Sequence, residues 1–519
     1  MRNIFERIGA GPALHGTAST VSKVLGLALL LLYGRVLPPA DFGVLVLLYL
    51  TTYLLDALAV QGLTAKVLRQ QGLEHDEATR RIVVTTAFLH TLACAGVLLG
   101  VTALAAEPLS VLFLGDRRWG PLLQLLCVAG IFRAAQNVPR QMLRARGRQR
   151  ALDILKLADA LMAATLNGVL VIGLDLGLRG VVYAEVLREI FFALVLATTL
   201  RRDLSRSGST SALHALLRDG LPRLRRELPA MVLTANDRYF LAFWGSLVHL
   251  GTYGFALRLA HVLVDFVVQP LLGLVSALRR DDHSPDGDSR VVLGRFLTYF
   301  VALSGLAALA IAVFTPSLLR IVCHPEYEGA AWVLPLLLIA LLIAGVQKLL
   351  LAGLHLDNQV PIYVRRATAA ATLLSLAGNS LFVPRHGALG AAFTAVLAQA
   401  LLCGTAIVAA RRQTVLCFEP SRLAKVVSAL LCSFYIAGFV MPENLIGQIA
   451  AAWAMVLLYP ALLGVFGFYT VTEIDRLRDL LNHRIVPAKA PVASATAPIP
   501  ATSAETSDEL VGAGASRDD

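Results

Sequence analysis

The sequence predicts an all-α protein that crosses a bilayer about fourteen times, and three observations carry that prediction. Apolar stretches of membrane-spanning length recur from Thr17 to Tyr469. They are continuous rather than alternating, which fits helices and not the strands of a closed barrel. Arginine fills nearly every second gap between them. Composition agrees: 57% of residues are hydrophobic, 16% are charged and the mean hydropathy is +0.68, too apolar for a soluble domain.

A bilayer core takes roughly 20 apolar residues per helix. On that measure the spans centre near Leu27, Tyr53, Ala95, Val128, Leu166, Phe191, Leu233, Val264, Ser304, Leu341, Leu374, Val396, Ser433 and Val456. The first run follows a short basic start, Arg2 and Arg7. It is too long for a cleaved leader, has no convincing small-residue cleavage site, and reads as the first span. From about Val486 the chain turns to Ala, Pro, Ser and Thr, a composition that buries no core and predicts a disordered tail.

The loops set the orientation, because short cytoplasmic loops collect Lys and Arg. One set holds Lys66, Arg69, Arg80 and Arg81, then Arg140, Arg144, Arg146, Arg148, Arg150 and Lys156, and later Arg201, Arg202, Arg206, Arg218, Arg223, Arg225 and Arg226. It continues through Arg279, Arg280, Arg290, Arg295, Arg365, Arg366, Arg411, Arg412, Arg422 and Lys425. The opposite set has only Arg35, Arg117, Arg118, Arg179, Arg320 and Arg385. An even number of spans then puts both termini in the cytoplasm. The net charge of +11 is accordingly a topology signal. Its dispersal over many loops, without aromatic platforms, argues against nucleic acid as a partner.

Two halves of the chain echo each other. ADFGVLVLLYLTTYLLD (Ala40 to Asp56) resembles GTYGFALRLAHVLVD (Gly251 to Asp265), and NGVLVIGLDLGLRGVVYAEVL (Asn167 to Leu187) resembles NSLFVPRHGALGAAFTAVLAQ (Asn379 to Gln399). In the second pair Asn167 matches Asn379, Gly177 matches Gly387 and Gly180 matches Gly390. The expected organisation is a six-helix bundle over residues 1–205, a second over 206–415, two further spans over 416–470 and a cytoplasmic tail over 471–519. An even number of spans per half makes the repeats parallel, as in transporters built around a central cavity.

Ionisable groups inside spans are costly and usually face a cavity or a partner. In the eighth span Arg258, His261, Asp265 and Gln269 follow at steps of three and four, which places them on one helix face, with Pro270 next as a kink. Tyr49, Thr52 and Asp56 repeat the spacing in the second span. Both stripes are expected to line the cavity, with interhelical pairing that holds the bundle as the alternative. Lys23 in the first span joins them, and Arg133 and Lys348 either reach the cargo or snorkel to the interface. The cavity candidates for cargo are therefore Lys23, Tyr49, Thr52, Arg133, Arg258, His261, Gln269 and Lys348, and those for ion coupling are Asp56 and Asp265. Glu185, Arg188 and Glu189 share a face and are expected to pair among themselves. Asp237 and Arg238, as sequence neighbours, point about 100° apart and cannot both face one partner. Asp159 reads as a solvated or capping group near a helix start.

Other signals point away from enzymes. The acidic stretch Asp281 to Asp288 lacks calcium-loop spacing and reads as solvated. Cys94, Cys127, Cys323, Cys403, Cys417 and Cys432 show no paired spacing, so neither metal nor disulfide is expected. No phosphate-cradling GxxxxGK[ST] loop occurs and no cofactor is expected. The outer loops, longest near Glu107 to Arg118 and Thr315 to Gly329, hold no paired-carboxylate motif beyond Glu326 and Glu328.

RVLPPADFGVLVLLYL (Arg35 to Leu50), VPRQMLRARGRQRALDI (Val138 to Ile154), NGVLVIGLDLGLRGVVYAEVL and NDRYFLAFWGSLVHLGTYGFALRLA (Asn236 to Ala260) give the chain a resemblance to a known family. It resembles the Wzx-type polysaccharide flippases of the multidrug/oligosaccharidyl-lipid/polysaccharide (MOP) exporter superfamily. The resemblance implies two helical bundles facing each other across a cavity, alternating access, and no enzymatic activity. The implied cargo is an oligosaccharide on an isoprenoid pyrophosphate, moved across the bacterial inner membrane for surface polysaccharide biosynthesis. It also implies membrane lipids, and a polysaccharide polymerase and export machinery, as partners. A lipid II flippase or a multidrug exporter of the same superfamily is the alternative, and a polytopic glycosyltransferase or ligase lies further away.

Overall fold

A backbone inside hydrocarbon has no water to bond, so each apolar run must close its own hydrogen bonds as a helix. The computed structural model follows that rule: no strand occurs among the described residues. These are residues 11–469 apart from 61–62, 64–75, 206–207, 282–287, 354–361, 413–418, 441 and 443. The acidic stretch within 282–287 and the Ala/Pro-rich tail therefore lie outside them.

The first half comprises α1 (Gly11–Val36), α2 (Pro39–Val60), α3 (Glu77–Leu104), the short α4 (Ala106–Leu114), α5 (Gly120–Ala145), α6 (Gln149–Asn167) and α7 (Gly177–Leu200). The second comprises α8 (Thr210–Trp244), α9 (Leu247–Leu263), α10 (Gln269–Asp281), α11 (Asp288–Val322), α12 (Ala330–Gly353) and the long α13 (Ile362–Arg412). Two further helices are α14 (Pro420–Val440) and α15 (Leu445–Val465). Side-chain caps begin several of them. Asp76 accepts from Thr79 N, Ser209 from Ala212 N and Ser246 from His249 N, satisfying amides that have no partner within the helix.

Every expected span centre falls inside a helix. Ten described stretches are long and apolar enough to cross a membrane, and one of them, α13, is bent back at Gly387 and carries two of the centres. The centres Phe191, Leu233 and Ser433 lie in α7, α8 and α14, outside those ten. In α7 the apolar run is broken by Glu185, Arg188 and Glu189, whose charges find partners inside the protein. This is a multi-pass, all-helical membrane protein. Two outer segments expected as loops are instead helical: α4 and a 3₁₀ turn occupy residues 106–119, and residues 315–329 run through the end of α11 into a second 3₁₀ turn. Their apolar residues, among them the buried Leu114, Leu319 and Tyr327, seat them on the bundle.

Within the first half α5 packs on α3 and α7, α2 packs on α3 and α5, and α1 packs on α6. Within the second, α13 packs on α8 and α12, and α12 on α9 and α11. Helices α14 and α15 pack against α11, where Tyr459 donates to Ala302 O at 3.1 Å. The repeat-matched glycines share a conformation: Gly177 and Gly387 both have φ +52°, the left-handed region that glycine enters without strain. A Cβ at Gly180 would stand 2.9 Å from Leu170 O, and one at Gly390 would stand 2.4 Å from Phe382 O. Both halves thus turn over on the same glycine-dependent hairpin.

The halves meet most closely where α2 crosses α9. A Cβ at Gly251 would lie 1.8 Å from Pro39 O, and one at Gly43 would lie 2.3 Å from Leu247 O. The contact is two-fold in character, since Pro39 stands to Gly43 as Leu247 stands to Gly251. Around it Phe42, Phe255 and Tyr327 stack at centroid distances of 4.7 to 6.3 Å. His324 N donates to Gly34 O at 2.8 Å, and Tyr327 OH donates to Leu37 O at 3.2 Å. This seal lies at the arginine-poor ends of the helices.

Candidate functional site

Beyond the seal, on its arginine-rich side, the two halves carry very different interiors. In the first half, positions 133, 136, 137 and 140 of α5 lie on one face, and each bears a polar group. Arg133 Nε donates to Glu189 at 3.1 Å and its Nη2 to Glu185 at 3.2 Å. Gln136 donates to Glu189 Oε2 at 2.6 Å, and Arg140 donates to Gln136 at 2.6 Å. Asn137 donates to Asp56 Oδ1 at 3.2 Å. From α7, Arg188 reaches Glu185 at 2.6 Å, Glu189 at 3.2 Å and Asp159 of α6 at 2.5 Å. Charge-assisted bonds of this kind compensate the desolvation of each ion and lock α2, α5, α6 and α7 together.

This network revises several expectations. Arg133 does not snorkel: it is buried, with its guanidinium 3.9 Å from the Tyr53 ring, although Nη1 keeps no hydrogen-bond partner. Asp159 is not a cap, since it sits within α6, and although partly exposed it pairs with Arg188. Glu185, Arg188 and Glu189 do pair among themselves, but Arg133, Gln136 and Asp159 join them. Thr52 is fully buried, and its hydroxyl returns to the carbonyls of Leu48 and Tyr49 at 3.1 Å. The two stripes therefore differ. Asp56 is buried against Asn137, whereas Tyr49 is partly exposed beside Tyr53.

The stripe of the second half is open. Arg258, His261 and Gln269 are exposed and Asp265 is half-buried. Arg258 has no carboxylate within ion-pair distance among the described residues. It lies close enough to Tyr33 of α1 for a Coulombic interaction, as do Glu185 and Arg188. Tyr33 OH donates to Asn167 Oδ1 at 2.9 Å, one of the repeat-matched asparagines. His261 Nδ1 lies 2.7 Å from Leu257 O. Lys348 on α12 is exposed. Asp237 and Arg238, expected to diverge, bond to each other at 3.4 Å while Asp237 also accepts from Tyr253 at 2.5 Å.

Lys23 crosses between the halves. Residues Val264–Val268 form a π turn between α9 and α10, in which Gln269 N bonds Val264 O. A regular α-helix would direct that amide to Asp265 O. The π turn frees this carbonyl, and Lys23 Nζ donates to it at 2.5 Å. Pro270, expected to kink the helix, follows this widened turn directly. Its ring cannot supply the amide that would bond Phe266 O.

Sequence reasoning did not find Tyr33, Tyr53, Gln136 and Asn137. The last two were detectable as polar residues three and four positions after Arg133 on the same span face. Among the described residues no cluster of His, Cys, Asp and Glu has metal-site geometry.

Residues 32–284 match the family described as "Polysaccharide biosynthesis protein". That stretch runs from the end of α1 through the π turn and α10. No curated protein matches the chain in sequence. Among solved structures, the chain is similar to the lipid II flippase MurJ in an inward closed conformation, with a TM-score of 0.74 at 12% identity, covering 90% of this chain and 100% of that one. It is also similar to an inward-facing multidrug resistance MATE family transporter of the MOP superfamily, with a TM-score of 0.57 at 14% identity over 76% of this chain and 94% of that one. A MATE protein in a straight conformation gives 0.51 at 17% identity, over 78% and 94%. At these identities the likeness is one of fold.

Proposed function

We propose that this chain, whose residues 32–284 match the family described as "Polysaccharide biosynthesis protein", flips a polyprenyl-pyrophosphate-linked oligosaccharide from the cytoplasmic to the outer leaflet of the bacterial inner membrane. One observation carries the reading most: Arg258 stands exposed on α9, within a helix apolar enough to span, with no carboxylate within ion-pair distance among the described residues. A guanidinium stays charged at working pH, and an uncompensated one at this depth is stable only beside an anion or water. A pyrophosphate supplies that anion and needs the cation in return, because it cannot shed its hydration bare.

Lys23 and Arg258 then hold the pyrophosphate, with Lys348 as a further donor, while Arg133, buried among Glu185, Glu189 and Tyr53, supports the site from behind. Tyr49, His261 and Gln269 offer polar and aromatic surface to the sugars, and Thr52 acts only by shaping α2. Asp56 and Asp265 are assigned to ion coupling. The arginine bias places both termini in the cytoplasm. The glycine seal then faces outward, the state is closed to the outside, and transport proceeds as the bundles rock about the site. The domain boundaries follow the repeat, at residues 205 and 415, with α14 and α15 added outside it. A polymerase and export machinery would draw on the flipped product. The likeness to a lipid II flippase favours a second cargo of the same chemistry, a different glycan on the same kind of carrier.

Substitution of Arg258 tests the reading in cells. Arg258→Ala is expected to stop surface glycan export with protein levels unchanged. Arg258→Lys should restore export in part, since it keeps the charge and loses the bidentate fork. Full export by Arg258→Ala would remove the pyrophosphate assignment.

A further inference from the structure

Away from the space between the bundles, α5, α6 and α7 leave a cavity of about 330 Å³ at their arginine-rich ends. Its floor is apolar and buried: Pro139, Met142, Leu143, Leu196 and Leu200. Ile154, on α6, is exposed at its side, and Arg146 and Arg148, on the turn from α5 to α6, are exposed at its rim. The turn is fixed. Gly147 has φ +67°, and Arg148 N donates to Leu143 O at 3.0 Å, so the two arginines flank a rigid corner.

The two rim cations differ in their commitments. Arg146 donates to Asp203 at 2.7 Å, and Arg80 approaches the same carboxylate at 3.4 Å. Asp203 therefore serves two guanidiniums and leaves the corner with surplus positive charge. Arg148 has no ion pair among the described residues. An apolar slot of this depth under an unneutralised guanidinium, at the end of membrane-spanning helices, matches one kind of molecule in shape and charge. Its hydrocarbon part would fill the slot, and its phosphate would sit at the height of the bilayer surface, where cationic side chains attract anionic headgroups.

We infer that this groove is a binding site for an anionic phospholipid, with one acyl chain between α5, α6 and α7 and the headgroup phosphate on Arg148 and Arg146. The lipid ties the turn between α5 and α6 to the end of α7, close to the segment that joins the two halves. It is independent of the cargo: none of the groove's residues belongs to the stripes of α2 and α9.

Native mass spectrometry of the full-length chain tests this, after exchange into detergent with equimolar phosphatidylglycerol and phosphatidylcholine of identical acyl chains. The wild type should retain one phosphatidylglycerol in preference to phosphatidylcholine. Arg148→Ala should weaken that preference about fivefold, the effect of one cation at an anionic headgroup. Arg148→Lys should keep it. Ala151→Trp, which fills the slot from α6, should lower retention of both lipids, and thermal unfolding of each variant reports that the fold is intact. Equal retention of the two lipids by the wild type, or an undiminished preference in a folded Arg148→Ala protein, would overturn the site.

Discussion

Two arginines of the membrane-spanning helices, Arg133 buried and Arg258 exposed, have opposite surroundings, and the difference predicts opposite phenotypes. Arg133 is enclosed by Glu185, Glu189 and the Tyr53 ring. Removing it strands carboxylates in a dry interior, which typically costs about 3–5 kcal/mol. Arg133→Met should therefore lower the midpoint of heat-induced aggregation of the purified protein, and adding Glu189→Leu should recover part of the loss. An unchanged midpoint would mean that the ions do not hold α5 to α7. Arg258→Ala strands no partner and should leave that midpoint in place. The sequence distinguishes these arginines poorly, because spacing tells which face a residue occupies but not what lies opposite. Glu185 and Glu189 belong to another helix, and only the packing of α5 on α7 brings them to Arg133. The same reason explains Thr52. Its spacing matches Tyr49 and Asp56, yet its small hydroxyl is satisfied by its own helix and buried.

At the scale of elements, the crossing of α2 and α9 depends on glycine. With Pro39 O only 1.8 Å from where a Gly251 Cβ would sit, backbone meets backbone, and no rotamer change can relieve a side chain there. Gly251→Ala must push the two helices apart. Cys323 reports on it, since its Sγ lies against Gly34 at the margin of the same seal. With the other cysteines replaced by serine, Cys323 should react slowly with a membrane-impermeant maleimide added from the sealed side, and several-fold faster in Gly251→Ala. Equal rates would show that the glycine contact does not close that side. The repeat was legible here in outline: the strings around Gly43 and Gly251 resemble each other. The register was not. Apolar alphabets align at several offsets, and only the reciprocal contact of Pro39 with Gly251 and Leu247 with Gly43 selects one. The π turn at Val264–Val268 was legible only as Pro270. Sequence shows that a proline disturbs a helix, but not that a lysine from α1 donates to the freed carbonyl.

For the whole molecule, the helical class and the multi-pass character were legible because each helix meets the same requirement separately: a backbone in hydrocarbon must bond to itself. Arginine bias predicts the orientation by the same loop-by-loop logic. Reporter fusions should accordingly behave as cytoplasmic at Arg206 and beyond Asp519, and as external at Glu328. An internal signal at Glu328 would invert the seal and the direction of transport with it. The charged interior is a different case, since it arises from contacts between helices far apart in sequence.

The central claim is that the chain carries a lipid-linked oligosaccharide between leaflets and that Arg258 takes the pyrophosphate. The most direct measurement is leaflet accessibility. Spheroplasts that make the lipid-linked oligosaccharide but lack its polymerase are treated with an externally added glycosidase, and the protected fraction is counted. Cells with the wild-type chain should expose most of the pool. Cells without the chain, or with Arg258→Ala at normal abundance, should leave it protected. Equal accessibility with and without the chain would contradict flipping, and full accessibility with Arg258→Ala would contradict the role of Arg258.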